Sequence, residues 1–287
     1  MANFKLCAFA DEYSSVIDEQ IEGMKKHGIG YIEIRNVDGT NIADITEEKA
    51  HEVKKKFDNN GIRVWSIGSP IGKIDITGDV EAHLCKLRHV IKIAKILGCD
   101  KIRMFSFYYP ENTDKHIYKD KIFEALGRML DIADEAGIYL CHENEKDIYG
   151  DDIDGCLELR EAFGDRLKYI FDPANFLQVG CETYPDAWSK LGECIFYMHI
   201  KDNDNKKEKI VPAGLGDGHI PEILKDINGK VSGDFILTLE PHLRVFDGLA
   251  ALEKEGSRTN TEAGVYATAG DAFGAAVDAL KGIISEM

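Results

Sequence analysis

Short apolar segments rich in β-branched residues alternate along this chain with longer segments whose apolar residues recur at helical spacing. Such alternation is typical of repeated β/α units in an α/β protein. The eight predicted strands are residues 4–10, 31–35, 63–68, 101–107, 139–143, 168–172, 196–201 and 235–240. Eight strands with helices between them favour a closed parallel (β/α)8 TIM barrel, and an open doubly wound sheet is the second interpretation.

Amphipathic segments between the strands predict helices, several of which follow an Asp or Thr that can cap the first turn. Three of these segments stop at a glycine, as expected where a helix ends in the left-handed conformation: Gly28, Gly61 and Gly98. The predicted helices are residues 15–27, 46–60, 80–97, 151–163, 183–191 and 272–285, and a further helix is expected to begin near Pro221.

The length of 287 residues is close to that of one such barrel, and no low-complexity linker divides the chain. We therefore predict a single TIM-barrel domain over residues 1–287. The stretch 247–267, between the last strand and the last helix, is rich in Gly, Glu, Ser and Thr. It is expected to form a long surface excursion or lid.

The net charge of the chain limits which molecules it is expected to bind. The chain has 35 Lys and Arg against 51 Asp and Glu, a net charge of −16, and no basic stripe. A nucleic-acid backbone would be repelled, so nucleic acid is not expected as a partner. A small sugar or sugar phosphate is compatible, because screening limits the global field to about 10 Å whereas a bound metal acts at contact distance.

The cysteines and the apolar runs indicate a cellular location. Seven cysteines are an odd number without C-x-x-C spacing, and we expect free thiols in the core. No apolar run approaches the roughly 20 residues of a membrane span, and Asp11 and Glu12 interrupt the first apolar segment. A reducing cytoplasm and no membrane association are therefore predicted. The cysteines are Cys7, Cys85, Cys99, Cys141, Cys156, Cys181 and Cys194.

Four polar residues close consecutive predicted strands, where the reactive groups of a barrel project: Glu143, Asp172, His199 and Glu240. Three carboxylates brought together would repel one another, so a cation at their centre is expected. Oxygen ligands with one nitrogen suit one divalent ion of Mn, Co, Mg or Zn. The alternative for each residue by itself is a helix cap or an ion pair with Lys or Arg.

Residues two apart in a strand face the same side, so Glu145, Lys201 and His242 are expected beside three of these four residues. We predict that they bind substrate, and Glu145 is also an alternative ligand to Glu143.

Arg35 and Arg103 are predicted to orient a substrate oxygen, since both lie on early strands that reach the same mouth. The alternative is an internal ion pair, and Glu33 shares a face with Arg35.

The segment PAGLGDGHIPEIL follows the seventh predicted strand and places Gly214, Gly216 and Gly218 before a helix. Loops at this position of a barrel often bind phosphate through backbone N–H groups. A plain tight turn is the alternative, because the full G-x-G-x-x-G pattern is missing. His219, in the same segment, is a candidate substrate-binding residue and acid.

The ordered set HEN, FDPAN, HIKD and LEPH resembles the xylose isomerase-like TIM-barrel superfamily, which includes endonuclease four and inosose dehydratase. The resemblance spans nearly the whole chain, and HENEKDIYGD resembles a subgroup described as sugar phosphate isomerase/epimerase. It implies that Glu143, Asp172, His199 and Glu240 bind the metal and that Glu143 and Glu240 form an acid/base pair.

Two positions depart from the family pattern. Members often carry His three residues after the strand-six Asp, where this chain has Asn175. Ketose epimerases often carry Arg six residues after the strand-seven His, where this chain has Asn205. Both departures bear on whether a free ketose is the substrate.

The function implied by the resemblance is isomerisation or epimerisation of a sugar or sugar phosphate, by proton transfer through a metal-stabilised enediolate. The first alternative is dehydration of a polyol ketone, in which Lys201, His219 or His242 would act as the acid. A second is a barrel that binds sugar without turnover. Phosphodiester cleavage is disfavoured by the net charge of −16. The outer barrel face could also support a homo-oligomer.

Overall fold

The computed structural model describes residues 1–246 and 265–287. Eight parallel strands form a closed barrel in which each strand pairs with its neighbours in the chain and the last pairs with the first. The strands are β1 (Ala2–Ala8), β2 (Tyr31–Ile34), β3 (Arg63–Ile67), β4 (Lys101–Met104), β5 (Tyr139–Glu143), β6 (Leu167–Phe171), β7 (Ile195–Ile200) and β8 (Gly233–Leu239).

Closure of the barrel decides between the two predicted folds. Strand β8 pairs with β1 along the full length of both, from Ala2 opposite Gly233 to Ala8 opposite Leu239. An open doubly wound sheet would instead have two edge strands, each paired on one side only. The TIM-barrel prediction is therefore confirmed, and every predicted strand overlaps an observed one.

Helices cover the outside of the barrel. They are α1 (Ile17–His27), α2 (Glu47–Asn60), α3 (Val80–Leu97), α4 (Lys119–Ala136), α5 (Ile153–Phe163), α6 (Pro173–Gln178), α7 (Trp188–Leu191), α8 (Ile220–Lys230) and α9 (Ala269–Ser285). Gly28, Gly61 and Gly98 have φ angles of 67°, 69° and 73°, so all three end their helices in the left-handed conformation as predicted.

Two helix predictions need correction. Helix α4 was not among the predicted helices, although Gly137 ends it in the same left-handed way as the others. The segment 183–191 is not one regular helix, because a π-turn over Thr183–Ala187 with extended backbone at Tyr184 precedes the short α7.

The cysteines are free, as predicted, but they are not all in the core. Cys7, Cys99, Cys141 and Cys156 are buried, whereas Cys85 is exposed. The exposed thiol lies on α3, whose outer face meets solvent, so an apolar helix segment does not by itself place a cysteine inside.

Residues 247–264 of the predicted surface excursion lie outside the described residues. Among the helices that the structure describes, none combines the length and the hydropathy required to cross a membrane.

Candidate metal centre

Four side chains meet at the C-terminal mouth of the barrel. Glu143 is the last residue of β5 and His199 lies in β7, while Asp172 and Glu240 directly follow β6 and β8. All four are buried, and each offers a ligand atom within 4.8 Å of those of the other three. The barrel thus brings together the four residues that the sequence proposed as ligands, since the C-terminal ends of its strands converge on one mouth.

His199 faces two of the carboxylates. Its Nδ1 atom lies 3.0 Å from Oε1 of Glu143 and 3.4 Å from Oε2 of Glu240. Burial lowers the pKa of His199, but the charges of Glu143 and Glu33 outweigh burial and raise it well above its usual value. Burial raises the pKa of Glu143, whereas the charges of His199 and Arg103 oppose this and leave it low.

Lys201 also reaches into the cluster. Its ammonium Nζ lies 2.9 Å from Oδ2 of Asp172 and 3.2 Å from Oε2 of Glu240. Burial raises the pKa of Asp172 despite the nearby Lys201 charge. Burial also raises the pKa of Glu240, but Lys201 and a hydrogen bond with His199 reverse the effect and hold it well below its usual value. Asp172 is thus the carboxylate of the cluster that most readily keeps a proton.

The donor set fits a divalent cation. Three carboxylates and one imidazole suit hard and borderline ions such as Mg, Mn, Co and Zn, and the cluster contains no thiolate. The ammonium of Lys201 already stands among these carboxylates. The pocket is therefore built to hold positive charge.

Both arginines predicted to orient substrate bind carboxylates of the protein. Arg103 Nη1 lies 3.1 Å from Oε2 of Glu143. Arg35 Nη1 lies 2.9 Å from Oε1 of Glu240, and its other nitrogens make two hydrogen bonds of 2.8 and 3.0 Å to Asp11. The alternative considered from the sequence, an internal ion pair, is therefore confirmed for both arginines, although Arg35 pairs with Asp11 and Glu240 and not with Glu33.

Glu12 is a residue of this mouth that the sequence analysis did not propose. Its Oε2 accepts the backbone N–H of His242 at 2.8 Å, and its Oε1 lies 3.5 Å from Nε2 of the same histidine. Burial raises the pKa of Glu12 to about 8, against the opposing charge of Arg35. The signal that could have revealed Glu12 is its place just after β1, in the turn Ala10–Glu12. His242, a predicted substrate-binding residue, is buried beside it.

Two other predicted residues lie apart from the cluster. Glu145 forms an ion pair of 2.6 Å with Lys73 and does not belong to the four-residue cluster. Of the two glutamates considered as a ligand from β5, it is Glu143 that lies in the cluster. His219 has a half-exposed side chain whose Nδ1 lies 3.5 Å from Oε1 of Glu222. No described contact joins His219 to the carboxylate cluster.

The glycine-rich loop after β7 binds a carboxylate of its own chain. The N–H groups of Gly214 and Gly216 donate to Oδ2 of Asp202 at 2.8 and 3.1 Å, and that of Gly218 donates to Oδ1 at 2.9 Å. A cradle for phosphate was one of the two sequence interpretations. These N–H groups hold Asp202 instead, so the loop is a tight turn closed around a side chain.

The two departures from the family pattern have different surroundings. The Asn175 side chain donates to Oε1 of Glu143 at 3.3 Å, and its backbone N–H donates to Oδ1 of Asp172 at 2.9 Å. Asp172 therefore also caps α6, which is the alternative role considered for it. Asn205 donates its backbone N–H to Asp217 at 2.9 Å, within the loop after β7.

Comparison with solved structures shows the same fold at low sequence identity. The probable 3-DHS dehydratase AsbF of Bacillus anthracis has a TM-score of 0.73 at 15% identity, over 97% of this chain and 99% of that chain. The IolI protein, solved with a bound zinc atom, has a TM-score of 0.69 at 18% identity, over 98% of both chains. A D-psicose 3-epimerase, solved in the presence of D-fructose, has a TM-score of 0.71 at 18% identity, over 96% of this chain and 97% of that chain.

No sequence among functionally curated proteins matches the chain. The family model described as the xylose isomerase-like TIM barrel matches residues 21–255, which run from within α1 past the end of β8. With this match over most of its length, the chain belongs to the xylose isomerase-like TIM barrel family.

Proposed function

We propose that the protein is a divalent-metal-dependent sugar isomerase or epimerase that moves a proton between carbon atoms or between faces of one carbon. The observation that carries the proposal is the cluster of Glu143, Asp172, His199 and Glu240, whose ligand atoms lie within 4.8 Å of one another. Neighbours of the same fold include a D-psicose 3-epimerase, which supports this reaction class by analogy.

The metal ion would be held by these four residues. When bound, it would polarise a carbonyl oxygen and the adjacent hydroxyl of the substrate, which makes the intervening C–H more acidic.

Glu143 and Glu240 are the proposed acid/base pair. Both are buried and both lie next to His199 Nδ1, Glu143 at the end of β5 and Glu240 directly after β8, and β6 and β7 stand between these two strands. One carboxylate would take the proton from carbon and the other would return it. Arg103 lies 3.1 Å from Glu143 and 3.7 Å from Glu240, so it can stabilise the ionised form of either.

An unphosphorylated sugar is the substrate that this arrangement favours. The three glycine N–H groups that could bind a phosphate donate to Asp202. The cations Arg35, Arg103 and Lys201 each have carboxylate partners. A substrate with several hydroxyl groups can exchange hydrogen bonds with such a set without adding charge.

Dehydration of a polyol ketone is the second candidate. The observation that favours it is Lys201, whose ammonium lies 3.2 Å from Glu240 and could deliver a proton to a leaving hydroxyl. Isomerisation conserves the mass of the substrate, whereas dehydration removes one water, so mass spectrometry of the product separates the two.

Metal content is the first test. Elemental analysis of the purified protein is expected to give about one equivalent of a divalent metal in the wild type, and markedly less in Glu240→Gln and His199→Ala. Glu52→Gln is the matched control, because this carboxylate is exposed on α2 and pairs with Lys49 there. A wild type that stays empty with added Mn, Co, Mg or Zn would contradict the proposal.

Turnover is the second test. The metal-loaded protein is incubated with free ketoses and inososes in D2O, and deuterium entry at carbon is followed by NMR. Glu143→Gln and Glu240→Gln are each expected to slow the reaction at least about 100-fold, the contribution of a positioned acid or base. Retained activity in both variants would remove the acid/base assignment, and a sugar bound but recovered unchanged would favour a binding protein.

A further inference from the structure

We propose that Glu33 is a positioning residue that holds His199 in the tautomer able to bind metal. The inference rests on the metal site proposed above and adds a residue that lies outside it. Glu33 is on β2 and is fully buried. Its Oε2 atom lies 3.1 Å from Nε2 of His199, across 166 residues of sequence.

The two nitrogens of His199 face different partners. Nδ1 faces the cluster, 3.0 Å from Oε1 of Glu143, and Nε2 faces Glu33. An imidazole binds a metal through the nitrogen that carries no hydrogen, so the other nitrogen must carry one. An ionised carboxylate can only accept a hydrogen bond, so Glu33 would keep the hydrogen on Nε2 when a metal takes the place of the hydrogen on Nδ1.

Glu33 is itself held in place from the opposite side. Its Oε1 accepts a hydrogen bond of 2.9 Å from the hydroxyl of Tyr197, which also lies 3.3 Å from Oγ of Ser66. Tyr197 and His199 are two residues apart in β7 and so share a face of that strand. The three side chains form a buried chain of hydrogen bonds, Tyr197 to Glu33 to His199, that runs from the barrel interior to the mouth.

Burying the charged carboxylate of Glu33 costs desolvation free energy, which an interaction with a partner must offset. Among the described residues, His199 is the partner of Glu33 at ion-pair distance, and neither arginine of the mouth reaches it. A glutamine would fill the same space without the desolvation penalty of a charge. Its amide could, however, turn its NH2 group toward Nε2, which would move the imidazole hydrogen to Nδ1 and block the metal.

The test is a double-mutant cycle on metal affinity. Binding of Co2+ is measured by competition with a chromophoric chelator for the wild type, Glu33→Gln, His199→Ala and the double variant, with circular dichroism to check folding. Glu33→Gln is expected to weaken binding by about 10- to 100-fold, as for other partners of metal-bound histidines. In the His199→Ala background, the same change is expected to add less than about twofold.

Tyr197→Phe is the matched control. It removes the hydroxyl from the same hydrogen-bond chain but leaves the Glu33 carboxylate against Nε2, and a much smaller loss of Co2+ affinity is expected than for Glu33→Gln. A general disturbance of the buried chain would instead weaken binding as much in Tyr197→Phe as in Glu33→Gln, and that result would overturn the inference.

The wild type allows a test without any variant. Long-range 1H–15N correlation spectra of the Zn2+-loaded protein are expected to show the His199 hydrogen on Nε2 and the metal on Nδ1. The opposite arrangement would overturn the inference, whether or not Glu33→Gln folds.

The results with the variants distinguish a failure of the proposed role of Glu33 from a failure of the proposed metal site. Undiminished Co2+ binding by His199→Ala would contradict the proposed site itself. Weak binding by His199→Ala combined with wild-type binding by Glu33→Gln, or with additive losses in the double variant, would leave the site standing and overturn the role of Glu33.

Discussion

At the scale of single residues, the mouth of the barrel combines many buried charges in a small volume. Arg35 is fully buried, and Asp11, Glu12 and Glu240 all stand within hydrogen-bond or ion-pair reach of its guanidinium. The rings of Phe9 and Phe246 lie 4.4 and 4.9 Å from that guanidinium. Buried charges of this kind are tolerated when each has a partner of opposite charge. Removing one partner leaves an unpaired buried charge, which strongly destabilises the folded protein.

Glu12 should make the stability of the protein depend on pH. Its pKa in the folded state is about 8, above the ordinary 4.5, so the folded protein keeps a proton that the unfolded chain has lost over this interval. The contribution of this proton to the free energy of unfolding is complete below pH 4.5, and it is lost as the pH rises through 8. Replacing the group by Glu12→Gln should remove this dependence, which amounts to at most a few kcal/mol.

The measurement is urea unfolding from pH 5 to pH 8 in the presence of a chelator, so that metal binding does not contribute. The unfolding free energy of the wild type is expected to fall more steeply with pH than that of the variant. Parallel curves for the two proteins would show that Glu12 ionises normally in the folded state.

At the scale of elements, the loops at the C-terminal ends of the strands are tied together beyond the strands themselves. Phe105, which follows β4, donates its backbone N–H to Ile71 in the loop after β3 at 2.8 Å, and Tyr108 donates to Ile74 at 2.9 Å. These hydrogen bonds continue the pairing of β3 and β4 into the mouth. They require the two backbones to approach closely, and Gly72 stands at the point of approach.

Gly72→Ala should therefore destabilise the protein strongly. Gly72 has a φ of 91°, and a Cβ atom there would overlap the backbone carbonyl of Phe105. Gly39→Ala is the matched control, because Gly39 has a similar φ of 77° but nothing within 4 Å of its Cβ position. We expect about 1 kcal/mol for Gly39→Ala from backbone strain and roughly 3 kcal/mol or more for Gly72→Ala. Equal losses in chemical unfolding would contradict this account.

Asp202 should stabilise the loop after β7. Its two oxygens accept the N–H groups of three glycines and of Asn203. Asp202→Asn leaves only one of the two oxygens as an acceptor, so a loss of about 1 to 3 kcal/mol is expected. Asp217→Asn, in the same loop, should cost less, because Asp217 accepts a single N–H, which the one remaining oxygen can still accept. Hydrogen exchange at Gly214 and Gly216 should accelerate in Asp202→Asn, and unchanged protection would refute the role.

At the scale of the whole molecule, the proposed metal joins strands β5 to β8 on one side of the barrel. An ion that binds the folded protein and not the unfolded chain raises its stability, by about 2.7 kcal/mol at 100 times the dissociation constant. Added metal is therefore expected to raise the midpoint of thermal unfolding, and a chelator to lower it. The shift should be strongly reduced in His199→Ala, and an equal shift in that variant would place the metal elsewhere.

Metal binding should weaken as the pH falls. Burial raises the pKa of Asp172, and the neighbouring carboxylates raise the pKa of His199, so protons occupy both groups before the metal arrives. These protons must leave when the ion binds, and affinity should rise with pH. Calorimetry in buffers with different ionisation enthalpies measures the released protons directly. A released-proton count near zero at pH 6 would contradict the prediction.

The sequence by itself determined the alternation of strands and helices and the four polar residues at the strand ends. The periods of the apolar residues are local, so eight strands and most helices could be identified from short windows, and a strand-end position predicted a place at the mouth. The same logic missed α4, although its apolar residues recur at helical spacing and Gly137 ends it, and it placed the exposed Cys85 in the core.

The tertiary structure alone decided which charges pair. Arg35 binds Glu240 across 205 residues of sequence, and Glu33 meets His199 across 166. The glycine loop likewise closes around Asp202 and not around a phosphate, which no local pattern distinguishes. The physical reason is that ion pairs and hydrogen bonds depend on distances of a few ångströms between strands, and these distances are set by closure of the barrel and by the packing of side chains across it.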